Sequence, residues 1–283
     1  MKKLFIGLLT ICLVTAFNIS IASANHFRSG TLSWSPVPGE DKTVLVKSQV
    51  VWTNDHGHIP TSTAVGGVVN NKFTLYWGDG TSTPVSMRVI SRDSGSNDVF
   101  TEAVSDLDND GTYETTGLKH TYATDGDYTV YWNGGARESA SSQSGSSWQN
   151  ETIINIGTGN TGPVSAVPSI IQVQDNTEFS YQLSAADSDG DTLRFRLGTQ
   201  EEFYNNSNNS PVTPPTGLTL SSTGLIEWDV RDETLSTSIG ARWQMTLMVE
   251  DLDNEGSVKS KTPLDFVLLI SDGSNTPPNF TST

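Results

Sequence analysis

Short runs of β-branched and aromatic residues, separated by Gly, Asn, Asp and Pro, recur along almost the whole chain. Runs this short between turn-forming residues are typical of β-strands. No long segment places apolar residues at the three- and four-residue spacing of an amphipathic helix. The pattern predicts an all-β protein of the sandwich class. The predicted strands are 43–52, 72–77, 84–90, 128–132, 152–156, 179–183, 192–197, 224–230, 242–250 and 265–270, and 26–34 is the candidate first strand.

A segment rich in glycine, proline and small residues, GTGNTGPVSAVP at 157–168, interrupts the series of strands. Such composition is typical of linkers between domains. We therefore predict a first sandwich over 25–158, a linker over 159–168 and a second sandwich over 169–272. A similar stretch, 273–283, predicts a linker at the end of the chain.

The first 24 residues have the features of a secretory signal peptide. Lys2 and Lys3 precede an apolar run over 4–16, and Ala22-Ser23-Ala24 matches a small-x-small cleavage site. We therefore expect an exported protein, secreted or held at the cell surface, with no transmembrane span. The single cysteine, Cys12, lies inside this segment, so stability must come from the core or from bound metal rather than from disulfides.

The chain carries a formal net charge of -16, and its acidic residues are clustered. A surface this acidic repels nucleic acid and anionic membranes. Carboxylates held close together also repel one another, which destabilises a fold unless a cation lies among them. The clustering therefore points to a divalent cation as a partner.

The first unit resembles the PKD (polycystic kidney disease) repeat. YWGDG at 76–80 and HTYATDGDYTVYW at 120–132 match the two motifs of that family, although the gap between them is longer than usual. The resemblance implies a seven-stranded sandwich used in adhesion, spacing or glycan contact. It also implies that Asp79 closes a turn, with a metal contact or catalysis as the lesser alternatives.

The second unit resembles the cadherin-like and putative-immunoglobulin (He-PIG type) modules of secreted bacterial surface proteins. The matching stretches are AADSDGDTLRFRL at 185–197, PPTGLTLSSTGLIEWDV at 214–230 and LMVEDLDNEGS at 247–257. Trp228 and Asp229 stand where that family has a Gly-Thr-Pro turn. The two resemblances together imply an all-β chain of two tandem immunoglobulin-like β-sandwiches, with a role in adhesion rather than catalysis.

The stretch DLDNDGTYE at 106–114 has alternating acids before a glycine, like the first half of an EF-hand loop. The bidentate glutamate of a complete EF-hand is missing, because Gly117 occupies its position. A calcium loop is the favoured interpretation, and an acidic solvated turn is the alternative. The predicted ligands are Asp106, Asp108, Asp110, Thr112 and Glu114.

A second acidic constellation is predicted from DSDGD at 187–191 and EDLDNE at 250–255. In an immunoglobulin-like order of strands these are the B–C and F–G loops, which share one pole. Neither stretch contains a basic residue, and oxygen-only ligands favour Ca²⁺ over zinc or copper. Screened turns are the alternative. The predicted ligands are Asp187, Asp189, Asp191, Asp251, Asp253 and Glu255.

This placement puts the second constellation beside the linker. We expect the turns at 78–80 and 125–127 of the first unit to face it across residues 157–168, with calcium stiffening the joint.

Candidates for catalysis are weak, and we predict no catalytic residues. His56 and His58 form an H-x-H pair without a third ligand nearby, and His120 is expected to be a hydrogen-bonded structural residue. His26 would become the amino terminus if cleavage followed Asn25, which is the basis for a copper-dependent, polysaccharide-active enzyme as a remote alternative.

The favoured function is therefore a non-catalytic, calcium-binding module in adhesion or in the structure of a cell surface or matrix, with surface proteins, matrix proteins or polysaccharide as partners. The second alternative is a glycan-binding accessory part of a larger secreted hydrolase. It depends on tryptophans such as Trp34, Trp52, Trp77, Trp132 and Trp148 being exposed, although most are expected in the core.

Overall fold

A computed structural model describes residues 26–54, 57, 59–135, 137–138, 147–175, 177–203, 213–231 and 238–272. The predicted signal peptide, His56, His58 and the terminal linker at 273–283 lie outside the described residues. Within these ranges no helix combines the length and the apolar character that crossing a membrane requires.

The chain is all-β, as predicted, and both units are immunoglobulin-like β-sandwiches. The strands pair almost entirely in antiparallel fashion, the exception among the named strands being β11 with β18. The strands of the first unit are β1 (Phe27–Pro36), β2 (Thr43–Thr53), β3 (Val68–Tyr76), β4 (Ser82–Asp93), β5 (Asp98–Ser105), β6 (Thr115–Thr116), β7 (Leu118–Thr121), β8 (Gly126–Gly134) and β9 (Trp148–Ile156).

The second unit has two facing sheets, β11-β18-β17-β14 and β12-β16-β15, and a small pair, β10 with β13. One short helix, α1 (Gln200–Phe203), follows β14. The strands are β10 (Val164–Ser165), β11 (Ile170–Gln174), β12 (Glu178–Gln182), β13 (Ala185–Ala186), β14 (Thr192–Leu197), β15 (Thr219–Leu220), β16 (Leu225–Asp229), β17 (Arg242–Leu252) and β18 (Val258–Ser271).

Each unit has its own apolar core, because alternate residues along a strand point to the same face. In β2, Val44, Val46 and Val50 are buried, whereas Lys47 and Gln49 between them are exposed. The first core draws its residues from 27–156 and the second from 171–270. Six tryptophans are almost fully buried, and they supply much of the apolar contact area that stabilises a fold without disulfides (Trp34, Trp52, Trp77, Trp132, Trp148 and Trp228).

The two units are also joined directly by β18, a contact that the sequence did not predict. Strand β18 belongs to the second core, but it also pairs with β1 at Asp265 and Leu264 and with β9 at Lys261. Strands β1 and β9 lie at the two ends of the first unit's run of paired strands. One strand of the second unit therefore satisfies backbone groups at both edges of the first.

Candidate calcium loops and the junction between the units

The first acidic loop lies between β5 and β6, and the structure brings four of its predicted ligands together. One carboxylate oxygen from each of Asp106, Asp108, Asp110 and Glu114 lies within 4.8 Å of the others. The loop holds this shape because Asp106 accepts hydrogen bonds from the backbone N–H groups of Asp110 (3.1 Å) and Gly111 (2.8 Å). Gly111 has φ of +91°, a conformation that strains residues with a side chain.

Thr112, the remaining predicted ligand of this loop, supports Asp110. Its backbone N–H donates to Asp110 Oδ1 at 2.7 Å. Hydrogen bonds from the Thr112 hydroxyl and amide lower the pKa of Asp110, so the carboxylate is held in its charged form.

The second acidic loop lies between β13 and β14. Asp187, Asp189 and Asp191 converge, again with one carboxylate oxygen from each within 4.8 Å of the others. Asp187 Oδ1 accepts the backbone N–H groups of Asp189 (2.9 Å) and Asp191 (3.1 Å), while its Oδ2 is buried without a hydrogen-bond partner. The expectation of no basic neighbour is wrong for this loop, because Lys259 forms an ion pair with Asp191. Lys259 comes from β18 and could not be found by reading the two acidic stretches.

The other three predicted ligands are arranged differently from the expectation. Asp251 lies within β17 rather than in a loop, and it is fully buried. Burial and the nearby charge of Asp187 raise its pKa, although Asn160 and the Ser260 amide donate hydrogen bonds to it. Asp253 shapes its own turn by accepting the N–H groups of Glu255 (2.9 Å) and Ser257 (2.8 Å). None of the three belongs to the converging group.

The chemistry of both loops fits a hard divalent cation. All the converging atoms are carboxylate oxygens, the ligand type that Ca²⁺ prefers. The buried, unpartnered Asp187 Oδ2 is an acceptor that a cation would satisfy. The residues that could hold the ion are therefore Asp187, Asp189 and Asp191 in the second loop, and the four acids described above in the first.

Acids of both units do approach the junction, but asparagine amides lie between them. Asn155 donates to Asp127 at 2.5 Å, and Asn160 donates to Asn155 at 3.3 Å and to Asp251 at 2.8 Å. The backbone N–H of Thr161 also donates to Asp189 at 2.5 Å. Sequence reasoning missed both asparagines, because an isolated Asn carries no pattern that reveals a tertiary partner.

The turn at Asp79 has the structural role that was favoured. Asp79 Oδ1 accepts both the backbone N–H (2.9 Å) and the hydroxyl (2.6 Å) of Thr81, and its other oxygen contacts His120 Nε2 at 2.8 Å. Partial burial raises the pKa of Asp79, but these hydrogen bonds outweigh it and lower the pKa to about 2. His120 also stacks on Trp77 at 4.4 Å, so its predicted structural role is confirmed.

The structure also gives the positions of the tryptophans and of His26, which the sequence offered as candidates for glycan and copper binding. The tryptophans that a glycan-binding surface would need are buried in the first core: Trp34, Trp52, Trp77, Trp132 and Trp148. His26 Nδ1 contacts the Thr53 hydroxyl at 2.6 Å, so this ring nitrogen already has a partner within the fold.

A chain of ion pairs crosses the junction on one side. Lys261 of β18 contacts Glu151 of the first unit at 2.6 Å and Glu202 of α1 at 2.8 Å. Arg196 then links Glu202 to Glu250, at 2.6 Å in each case. Burial raises the pKa of Glu202, but hydrogen bonds from Arg196, Lys261 and the Thr199 amide outweigh it and lower the pKa to about 2.

The other side of the junction contains a fully buried ion pair. Arg137 of the first unit contacts Asp265 of β18 at 2.8 Å, and neither side chain is exposed. Gln244 reaches across as well, donating to the backbone carbonyl of Arg28 at 3.2 Å. Burial raises the pKa of Asp265, while the adjacent guanidinium opposes that rise.

Comparison with known proteins finds a family match for the first unit. A family profile described as "Integrin beta-like protein A-E, N-terminal" matches residues 28–157. The match begins within β1 and ends directly after β9, so it spans the strands of the first sandwich. No curated protein matches the chain.

The chain is also similar to solved structures of tandem modules. The two V-type regions of VCBP3, a v-region-containing chitin binding protein, have 12% identity and a TM-score of 0.33, covering 78% of this chain and 99% of that one. The Ig1-2 module of the Drosophila receptor tyrosine phosphatase DLAR has 11% identity and a TM-score of 0.25, with coverage of 73% and 92%. The fibronectin(III)-like modules of Clostridium thermocellum CbhA have 14% identity and a TM-score of 0.24, with coverage of 89% and 100%.

Proposed function

We propose that this protein is an exported, non-catalytic, calcium-binding module that acts in adhesion or in the structure of a cell surface or matrix. The observation that carries the proposal is the shared strand β18, which contributes to the second core and pairs with both edge strands of the first unit. A continuous sheet with buried polar contacts holds two domains at a fixed angle. This property suits a load-bearing or presenting module better than an enzyme that must open and close.

The family match supports the extracellular and adhesive part of the proposal, since the matched family is described as integrin beta-like. The PKD-like and cadherin-like motifs of the two units suggest the same class of role. The buried tryptophans remove the feature on which the glycan-binding alternative depended.

Calcium enters the proposal through the two acidic loops. Carboxylates converge in each, and among the described residues these are the two groups of acids or histidines within metal-binding reach. We expect Ca²⁺ to offset their mutual repulsion, with Asp187 Oδ2 gaining a partner. Because the second loop also accepts a hydrogen bond from Thr161 of the connecting segment, an ion there would reinforce the junction.

Calorimetric melting with calcium and with chelator tests the proposal. An ion present at 100 times its dissociation constant stabilises the folded state by about 2.7 kcal/mol. We expect the melting temperature to rise with calcium. Paired substitutions to Asn at Asp106 and Asp108, or at Asp187 and Asp189, should each remove part of that rise.

Glu227→Gln is the matched control, because Glu227 is an exposed acid of the second unit outside both loops. It should leave the calcium effect unchanged. A wild-type melting temperature that is the same with calcium and with chelator would refute calcium binding.

A further inference from the structure

A cleft lies between the two sandwiches, and none of the residues that line it belongs to either acidic loop. Its volume is about 570 Å³, within the range of small-molecule and peptide sites. The end of the β4–β5 hairpin forms one wall, and β11, β18 and the segment before β11 form the other. The residues that matter most are Asp93, Asp98, Phe100, Gln172 and Arg242.

The floor of the cleft is acidic. Asp98 is only 2% exposed and forms an ion pair with Arg28 at 2.6 Å. The hydroxyl of Ser96 donates to Asp98 at 2.7 Å and lies 3.0 Å from Asp93, so the two carboxylates are neighbours.

The charges around the cleft leave an excess of negative charge. Arg28 and Arg242 both contact Glu138, at 3.2 and 2.7 Å, so this third carboxylate is matched to the same two guanidinium groups. Three carboxylates therefore lie near two guanidinium groups, whose ion pairs are made with Asp98 and Glu138 and not with Asp93. Burial raises the pKa of both Asp98 and Glu138, and the two arginines oppose that rise.

A second cavity of about 150 Å³, lined by both polar and apolar residues, adjoins the first. The two cavities share Phe100, Pro168 and Ser169 as lining residues. Ile90, which is 40% exposed, and Val167 line the second cavity. Together the cavities form one groove, with an acidic floor in the larger cavity and an apolar contact surface from Ile90 and Val167 in the smaller one.

We propose that this groove binds an extended peptide of a partner protein, with a lysine or arginine side chain against Asp93 and Asp98 and an aliphatic side chain in the adjoining cavity. The cation completes the charge balance, and its alkyl stem packs on the aliphatic wall formed by Ile170 and Leu269. The chain's own terminal segment, 273–283, does not have this chemistry, since it contains no lysine or arginine.

This inference supplies a binding site for the adhesive role proposed above and rests on that role, but it does not require calcium. The test is an array of acetylated, alanine-based hexapeptides in which two positions carry all twenty residues. The full chain is applied in calcium and in chelator. We expect peptides that pair Lys or Arg with Leu, Ile or Val to bind at least tenfold more protein than those that pair Glu with the same residues.

Gln172→Lys is the diagnostic variant, because Gln172 is exposed and lines the cleft, so a lysine there places a competing cation beside the floor. It should weaken binding of the selected peptides about tenfold or more by calorimetry. Ser180→Lys adds the same charge at an exposed position of β12 and should leave binding unchanged.

Any of three results would refute peptide binding in this groove. The first is equal binding of basic and acidic peptides, and the second is unchanged peptide binding by the Gln172→Lys variant. The third is that spermidine binds as tightly as the peptides and that the aliphatic residue of the peptide contributes nothing. Failure here with a calcium-dependent melting temperature intact would leave the proposed function standing. Peptide binding without any calcium effect would refute only the calcium part.

Discussion

Glu202 offers a direct test of the ion-pair chain across the junction. Its pKa of about 2, against an ordinary value of 4.5, means that folding favours the charged carboxylate by about 3 kcal/mol, since one pKa unit corresponds to about 1.4 kcal/mol. Because the folded pKa is lowered, this stabilisation is fully present above the unfolded value near 4.5. It is lost as the pH falls towards 2.

We therefore expect Glu202→Gln to lower the free energy of unfolding by about 3 kcal/mol at pH 7, with the difference shrinking to near zero at about pH 2. Urea denaturation at a series of pH values, followed by the fluorescence of the seven tryptophans, measures this difference.

Glu201→Gln is the matched control. Glu201 precedes Glu202 in α1, carries the same charge and is exposed. It should change stability by less than about 0.5 kcal/mol at any pH. A Glu202→Gln deficit that stays constant between pH 7 and pH 2, or an equal deficit for Glu201→Gln, would show that the ionised Glu202 does not stabilise the junction.

Three further predictions concern the same joint. Arg137→Met should lower the free energy of unfolding, measured by urea denaturation, by about 3–5 kcal/mol, because Asp265 would remain as a buried unpaired charge. Adding Asp265→Leu should recover most of this loss. A double variant that is no more stable than Arg137→Met would contradict the prediction. Gly162→Ala should lower the free energy of unfolding by about 1–3 kcal/mol and shift the tryptophan emission to longer wavelength. The reason is that the new Cβ would lie 2.5 Å from Trp34 Nε1, which donates to Ser260. An unchanged emission maximum would contradict this prediction. Calorimetry of the wild-type chain should show one cooperative transition, whereas two well-separated transitions would mean that the units unfold independently.

Much of the fold could be predicted from local pattern. Alternating apolar residues and turn-forming residues located eleven of the strands that the structure describes. The second unit has the immunoglobulin-like pairing that was predicted, with β14 beside β17 and β17 beside β18. Strands β5 and β11 were missed, as were five strands of two to four residues (β6, β7, β10, β13 and β15). In β5 a central Thr101 is buried and bonds to the backbone of β2, so the alternation that marks a strand is blurred.

The candidate site was predictable only in part. The alternation of acids before Gly111 and before Gly190 is a local feature, and the structure brings the acids within each of these two stretches together. The predicted grouping of 187–191 with 250–255 depended on where the flanking strands end, and the local pattern did not give those ends. Asp251 lies inside β17, where the side-chain amide of Asn160 and the backbone N–H of Ser260 donate hydrogen bonds to it.

The sequence by itself determined the class of fold, the two units and the two loops where carboxylates crowd together, since strand alternation and turn chemistry act between near neighbours. Tertiary structure alone decided how the units meet. The pairing of β18 with β1, the burial of Arg137 against Asp265 and the groove floored by Asp98 join residues that lie far apart in the chain. Such contacts depend on the complementarity of two folded surfaces, which no local pattern of residues encodes.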